Sequence, residues 1–187
     1  PQQVMDAAAA VSYRRSHCEE WKIGKVFVCG FSAGGHLAAS LGVVWKDPFI
    51  LAALKVTAEE IRPDAMVLGY PVITADSSFS HVDSIEHIAG TTDKESAVYK
   101  KMSLENSVDA DTPPTYLWHT AEDNAVPVRN SIVFANALAM NKVPFELHIY
   151  PYGGHGLATG RYATNGFDDN HYVYPWMDES VKFLKSL

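Results

Sequence analysis

Residues 26–37 read Val-Phe-Val-Cys-Gly-Phe-Ser-Ala-Gly-Gly-His-Leu, and the fold follows from this stretch. Val26-Phe27-Val28-Cys29 is a short, wholly apolar run ending at a glycine, the pattern of a parallel strand covered on both faces. Residues 33–45 then place Ala33, Leu37, Leu41 and Val44 on one helical stripe, while Gly34, Gly35, Ala38 and Ala39 are small enough for close approach to a sheet. Between strand and helix stands Gly30-Phe31-Ser32-Ala33-Gly34, a Gly-x-Ser-x-Gly element in strand–turn–helix context. Three such fixed positions match by chance on the order of 0.06 times in a chain of this length, so with the right flanks the match carries weight. The turn must be sharp enough to strain the serine backbone, and the expectation is that it tolerates no side chain at Gly30 or Gly34. It aims the Ser32 hydroxyl outward, and the backbone N–H of Ala33, opening a helix, points where an oxyanion would form.

Outward from this turn, the pattern repeats with strands at 66–70, 115–119 and 145–150. Helical periodicity marks 4–21, 93–102, 128–141 and 174–187. Segment 46–65 reads as helix or loop, with Thr57 and Glu60 spaced as a capping box before Pro63. Strands alternating with helices describe an α/β fold with a parallel sheet of about four strands, one domain over residues 1–187.

A serine hydroxyl is a weak nucleophile at neutral pH and needs a histidine base, itself oriented by a carboxylate. In a parallel sheet both belong just past strand carboxyl ends. Beyond strand 115–119 come Glu122 and Asp123, then Asn-Ala-Val-Pro; Asp123 is preferred, with Glu122 in reserve. Beyond strand 145–150 comes Gly153-Gly154-His155-Gly156, a histidine in a flexible turn. Ser32, Asp123 and His155 are therefore the candidate nucleophile, orienting acid and base. The competing readings are an N-cap role for Ser32, a helix-capping role for Asp123 and a plain loop histidine at 155. His36 is read as packing or hydrogen bonding beside the turn, and His119 and His148 as structural strand residues. Phe31 and Tyr70 are candidates for the substrate pocket, and segment 151–173, with five glycines, for one wall of the site. The short connection after strand 66–70 leaves no room for a large cap, so an open site is expected.

Gly30 to His36, with the Asp123 and His155 segments and Tyr70-Pro71-Val72, resembles the acetyl esterase and acetylxylan-esterase-like (BD-FAE-like) branch of the α/β-hydrolase superfamily. The resemblance implies the α/β-hydrolase fold, the chain order Ser, Asp, His, and hydrolysis of short-chain, acetyl esters of sugars or xylan through an acyl-enzyme without a cofactor. It also implies that the N-terminal half of the sheet and a His-Gly-Gly-type oxyanion loop lie outside this sequence. Strand 26–29 would then be an edge covered by a missing N-terminal segment or another chain. One rival is a prolyl-oligopeptidase-like peptidase, against which Ala33 weighs because an aromatic usually follows that serine. Another is a non-catalytic binding or assembly module of the same fold.

Composition narrows the partners. The 187 residues carry 15 basic and 22 acidic side chains, a net charge of −7, and no Lys/Arg run that would track a phosphate backbone. No apolar run approaches the ~20 residues of a membrane span. No targeting signal stands at 1–10, which leans the reading toward the cytoplasm, any export signal lying upstream of Pro1. Cys18 and Cys29 are too few for a disulfide framework and are read as structural. His17, His81, His87 and His171 lack metal-site spacing, so no metal is expected.

Overall fold

A computed structural model describes residues 2–159, 173 and 175–187. In chain order the elements are α1 (Gln2–Ser16), α2 (Cys18–Trp21), β1 (Phe27–Phe31), α3 (Ala33–Val44), α4 (Pro48–Leu54), α5 (Ala58–Ile61) and β2 (Ala65–Gly69). They continue with α6 (Val82–Ala89), α7 (Ala97–Lys100), a 3-10 turn (Leu104–Ser107), β3 (Thr115–Thr120), α8 (Arg129–Met140), β4 (Phe145–Tyr150) and α9 (Trp176–Ser186).

The four strands form one parallel sheet in the order β1-β2-β3-β4, with Gly30 opposite Leu68 and Trp118 opposite His148. Alternation along the central strands splits the core into two layers. Met66, Leu68 and Leu117 face Ala38, Ala39 and Val43 of α3 and Phe134 and Leu138 of α8. Val67, Tyr116 and Trp118 face Trp176 and Phe183 of α9. A third cluster joins Ala8 and Val11 of α1 to Leu41, Trp45, Ile50 and Ile61. The small residues of α3 let it sit close to the sheet: a Cβ on Gly42 would meet the Met66 sulfur at 2.1 Å.

Several expectations need correction. β1 is not covered on both faces: Phe27 and Cys29 are exposed, because β1 pairs only with β2 and α9 packs over β3. The first helix breaks at His17 into α1 and α2. The helix placed at 93–102 is one turn, α7, and a helix absent from the sequence reading, α6, precedes it with the His81 side chain accepting from the Ser84 N–H. Segment 46–65 holds two short helices, the second closed by the Thr57–Glu60 capping box. Residues 160–172 of the expected site wall, His171 with them, and residue 174 of the last helix lie outside the described residues.

Candidate active site

Ser32 sits at the junction of β1 and α3 with φ 56° and ψ −123°, a conformation that costs an L-residue energy and is held by its surroundings. Its N–H donates to the Gly69 carbonyl at 3.1 Å, and its carbonyl accepts from the N–H groups of Gly35 and Val72, both at 3.0 Å. The tightness of the turn explains Gly30, where an added Cβ would lie 2.1 Å from the Gly34 carbonyl oxygen. The same requirement expected at Gly34 is not present there: a Cβ at Gly34 meets nothing within 4 Å. It falls on Gly35, whose Cβ would lie 2.7 Å from Pro71. The stretch Tyr70-Pro71-Val72 is thus the seat of the turn.

Three residues distant in sequence converge at the carboxyl end of the sheet. The Ser32 hydroxyl lies 2.8 Å from His155 Nε2, and His155 Nδ1 lies 2.7 Å from Asp123 Oδ2. A carboxylate only accepts, so the imidazole carries its proton on Nδ1 and turns a bare Nε2 to the hydroxyl. Asp123 has a fully buried side chain, and its other oxygen, Oδ1, accepts from the N–H groups of Ala125 at 3.0 Å and Val126 at 2.8 Å. Burial of the carboxyl opposes its ionisation, but hydrogen bonds from His119, His155 and the Val126 N–H, with the field of His155, outweigh it and hold the pKa down to about 2. Ala33, the first residue of α3, has an N–H that the helix itself leaves unused.

The loop bearing His155 is fixed on both sides. The Gly153 N–H donates to Glu122 Oε2 at 3.1 Å, so the reserve candidate Glu122 holds backbone rather than the imidazole. Beyond the histidine, the Ala158 N–H donates to the Tyr70 hydroxyl oxygen at 3.0 Å and the Trp176 indole N–H to the Ala158 carbonyl at 2.9 Å. The Tyr70 ring also meets the His155 ring edge-on at 4.9 Å. Phe31 packs on Tyr70 and Trp176. Neither Phe31 nor Tyr70 lines the cleft of about 440 Å³ beside the turn, which is walled by Ala33, Gly34 and Leu37 of α3 and by His81, Asp83, Ser84 and His87 at α6. The connection after β2 therefore carries a helix to the rim, where only a short link was expected.

His36 is buried with Nε2 against the Met102 carbonyl at 3.0 Å, and burial lowers its pKa, in keeping with packing. His119 is the residue that sequence reading undervalued: it lies 3.3 Å from Asp123 Oδ2. Strand alternation marks it as inward-facing but says nothing of what it meets there.

The family model BD-FAE matches residues 1–138. The chain is 39% identical over 165 residues to endo-1,4-beta-xylanase B of Butyrivibrio fibrisolvens, an alignment covering 83% of this chain and 24% of that protein. It is 32% identical over 151 residues to an acetylxylan esterase of Xylanibacter ruminicola, covering 78% and 29%. Among solved structures, an acetyl ester-xyloside bifunctional hydrolase from Caldicellulosiruptor lactoaceticus superposes with a TM-score of 0.80 at 37% identity, covering 98% of this chain and 65% of the other. The chain thus spans well under half the length of the curated relatives it matches. With the parallel sheet, the strained serine turn and this match in hand, the chain belongs to the BD-FAE family and has the α/β-hydrolase fold.

Proposed function

We propose that residues 1–187 act as one catalytic domain that hydrolyses short-chain carboxylic esters, acetyl esters of carbohydrates such as xylan fragments foremost. The supporting observation is the unbroken hydrogen-bond path from the Ser32 hydroxyl through His155 to Asp123. Ser32 attacks the ester carbonyl as His155 Nε2 takes its proton; the Asp123 carboxylate stabilises the imidazolium that results. The Ala33 N–H receives the developing oxyanion. His155 then protonates the departing alcohol, and water, activated by the same imidazole, releases the acid from Ser32. The acetyl and carbohydrate assignment draws on the acetylxylan esterase and acetyl ester-xyloside hydrolase among the similar proteins.

The open side of β1 joins this reading. Its apolar residues and unpaired backbone groups favour cover by further chain or a second copy in the active form. A second oxyanion donor brought in that way would raise turnover on the order of 10²–10³-fold. The test is release of p-nitrophenol from its acetate, and of acetate from acetylated xylo-oligosaccharide, by this chain and by a version extended upstream. Turnover that disappears in Ser32→Ala supports the reading; turnover that survives it removes Ser32 as nucleophile.

A further inference from the structure

We infer that His119 is a positioning residue that donates its Nε2–H to the same oxygen of Asp123 that serves His155, and so sets the aim of that carboxylate. The inference rests on the triad reading above and adds to it a residue that touches no substrate.

His119 lies in β3 with no solvent exposure. Its Nδ1 is 2.8 Å from the Ser131 hydroxyl of α8, and its Nε2 is 2.8 Å from the Val126 carbonyl oxygen and 3.3 Å from Asp123 Oδ2. The Val126 carbonyl and the Asp123 carboxylate only accept, so Nε2 carries a proton; Nδ1 faces the Ser131 hydroxyl, which can donate to it or accept from it. The Nε2–H is thereby shared between two acceptors. Asp123 Oδ2 consequently takes two imidazole N–H groups, from His155 at 2.7 Å and from His119 at 3.3 Å.

Oδ1 is fixed by the Ala125 and Val126 amides, so His119 supplies the lateral restraint that keeps Oδ2 under His155. His155 is faced by the Asp123 carboxylate, the Ser32 hydroxyl and the Tyr70 ring, with Glu122 on the backbone of Gly153. Its contact with His119 runs through Asp123.

The first test uses the unaltered chain: long-range proton–nitrogen NMR of the histidine rings, with His119 assigned by its loss in His119→Gln. A proton on Nε2 is expected for His119; a ring protonated on Nδ1 alone cannot donate to Asp123 and overturns the inference. The second test compares His119→Leu, which lacks a donor, with His119→Gln, whose amide nitrogen reaches the place of Nε2. The kcat of His119→Leu for p-nitrophenyl acetate should fall on the order of tenfold with KM unchanged, and His119→Gln should recover most of it. An unchanged kcat in His119→Leu also overturns it. Hydrolysis that survives Ser32→Ala would instead strike the triad reading. Loss in Ser32→Ala beside an unchanged His119→Leu strikes this inference alone.

Discussion

Pro71 stands so close to Gly35 that a Cβ on the glycine would come within 2.7 Å of the proline Cβ and 2.8 Å of its Cα. The contact joins the first turn of α3 to the residue just after the β2 end and so fixes the height of the Ser32 turn over the sheet. Gly35→Ala should therefore destabilise the chain by about 1–3 kcal/mol and reduce esterase turnover by displacing Ser32. Gly34→Ala, with open space around its Cβ, should stay within about 0.5 kcal/mol. Urea midpoints of the two variants provide the comparison, and equal losses would contradict the assignment of the close approach to Gly35.

The backbone of Ser32, at φ 56° and ψ −123°, is one that glycine adopts freely and alanine does not. Ser32→Gly should accordingly be more stable than Ser32→Ala by about 1 kcal/mol, although neither turns over substrate. Thermal or chemical denaturation of the pair measures the strain without reference to activity.

Tyr70→Phe keeps the ring edge on His155 and removes the hydroxyl that accepts the Ala158 N–H. A loss of about 1 kcal/mol or less in global stability is expected. The local effects should be larger: faster hydrogen exchange at the Ala158 amide and a several-fold drop in kcat, as the segment after His155 loses one of its two aromatic latches. Unchanged exchange at Ala158 would show that the latch does not hold.

Asp123 has a pKa of about 2 against an ordinary value of 3.8, so the unfolded chain takes up that proton before the folded one does. The resulting stabilisation, on the order of 2 kcal/mol, is complete above about pH 5, fades as the pH falls through 4 and 2, and is gone by about pH 1. Urea titrations between pH 5 and 2 should show this slope in the unaltered chain and its flattening in Asp123→Asn. Parallel slopes in the two proteins would remove Asp123 as its source.

Much of this was legible from residue order because burial leaves regular marks. β2 and β3 stand out as largely apolar stretches and β4 has the ends expected of it, while Ser32 is marked by its Gly-x-Ser-x-Gly turn and Asp123 and His155 by lying past strand ends where functional groups gather. What escaped depends on contacts that no spacing encodes. The stripe of α6 is two turns long, too short to stand out, and its cap is a histidine side chain rather than a Ser, Thr, Asp or Asn. An apolar run such as Val26-Phe27-Val28-Cys29 reports affinity for cover, not whether cover is there. Gly34 and Gly35 look alike in sequence, and only Pro71 tells them apart.

Ser32 follows β1 and His155 follows β4, the two borders of the sheet, while Asp123 follows β3 between them. Three strand spacings of ~4.8 Å separate those borders, so the proton path closes only when every strand is in register. A partly assembled molecule could retain helices and much of its apolar core yet leave Ser32 inert. Covalent capture of Ser32 by a fluorophosphonate would then count molecules whose architecture is whole from margin to margin, a gauge of folding yield that far-UV circular dichroism, which averages secondary structure over all molecules, does not offer.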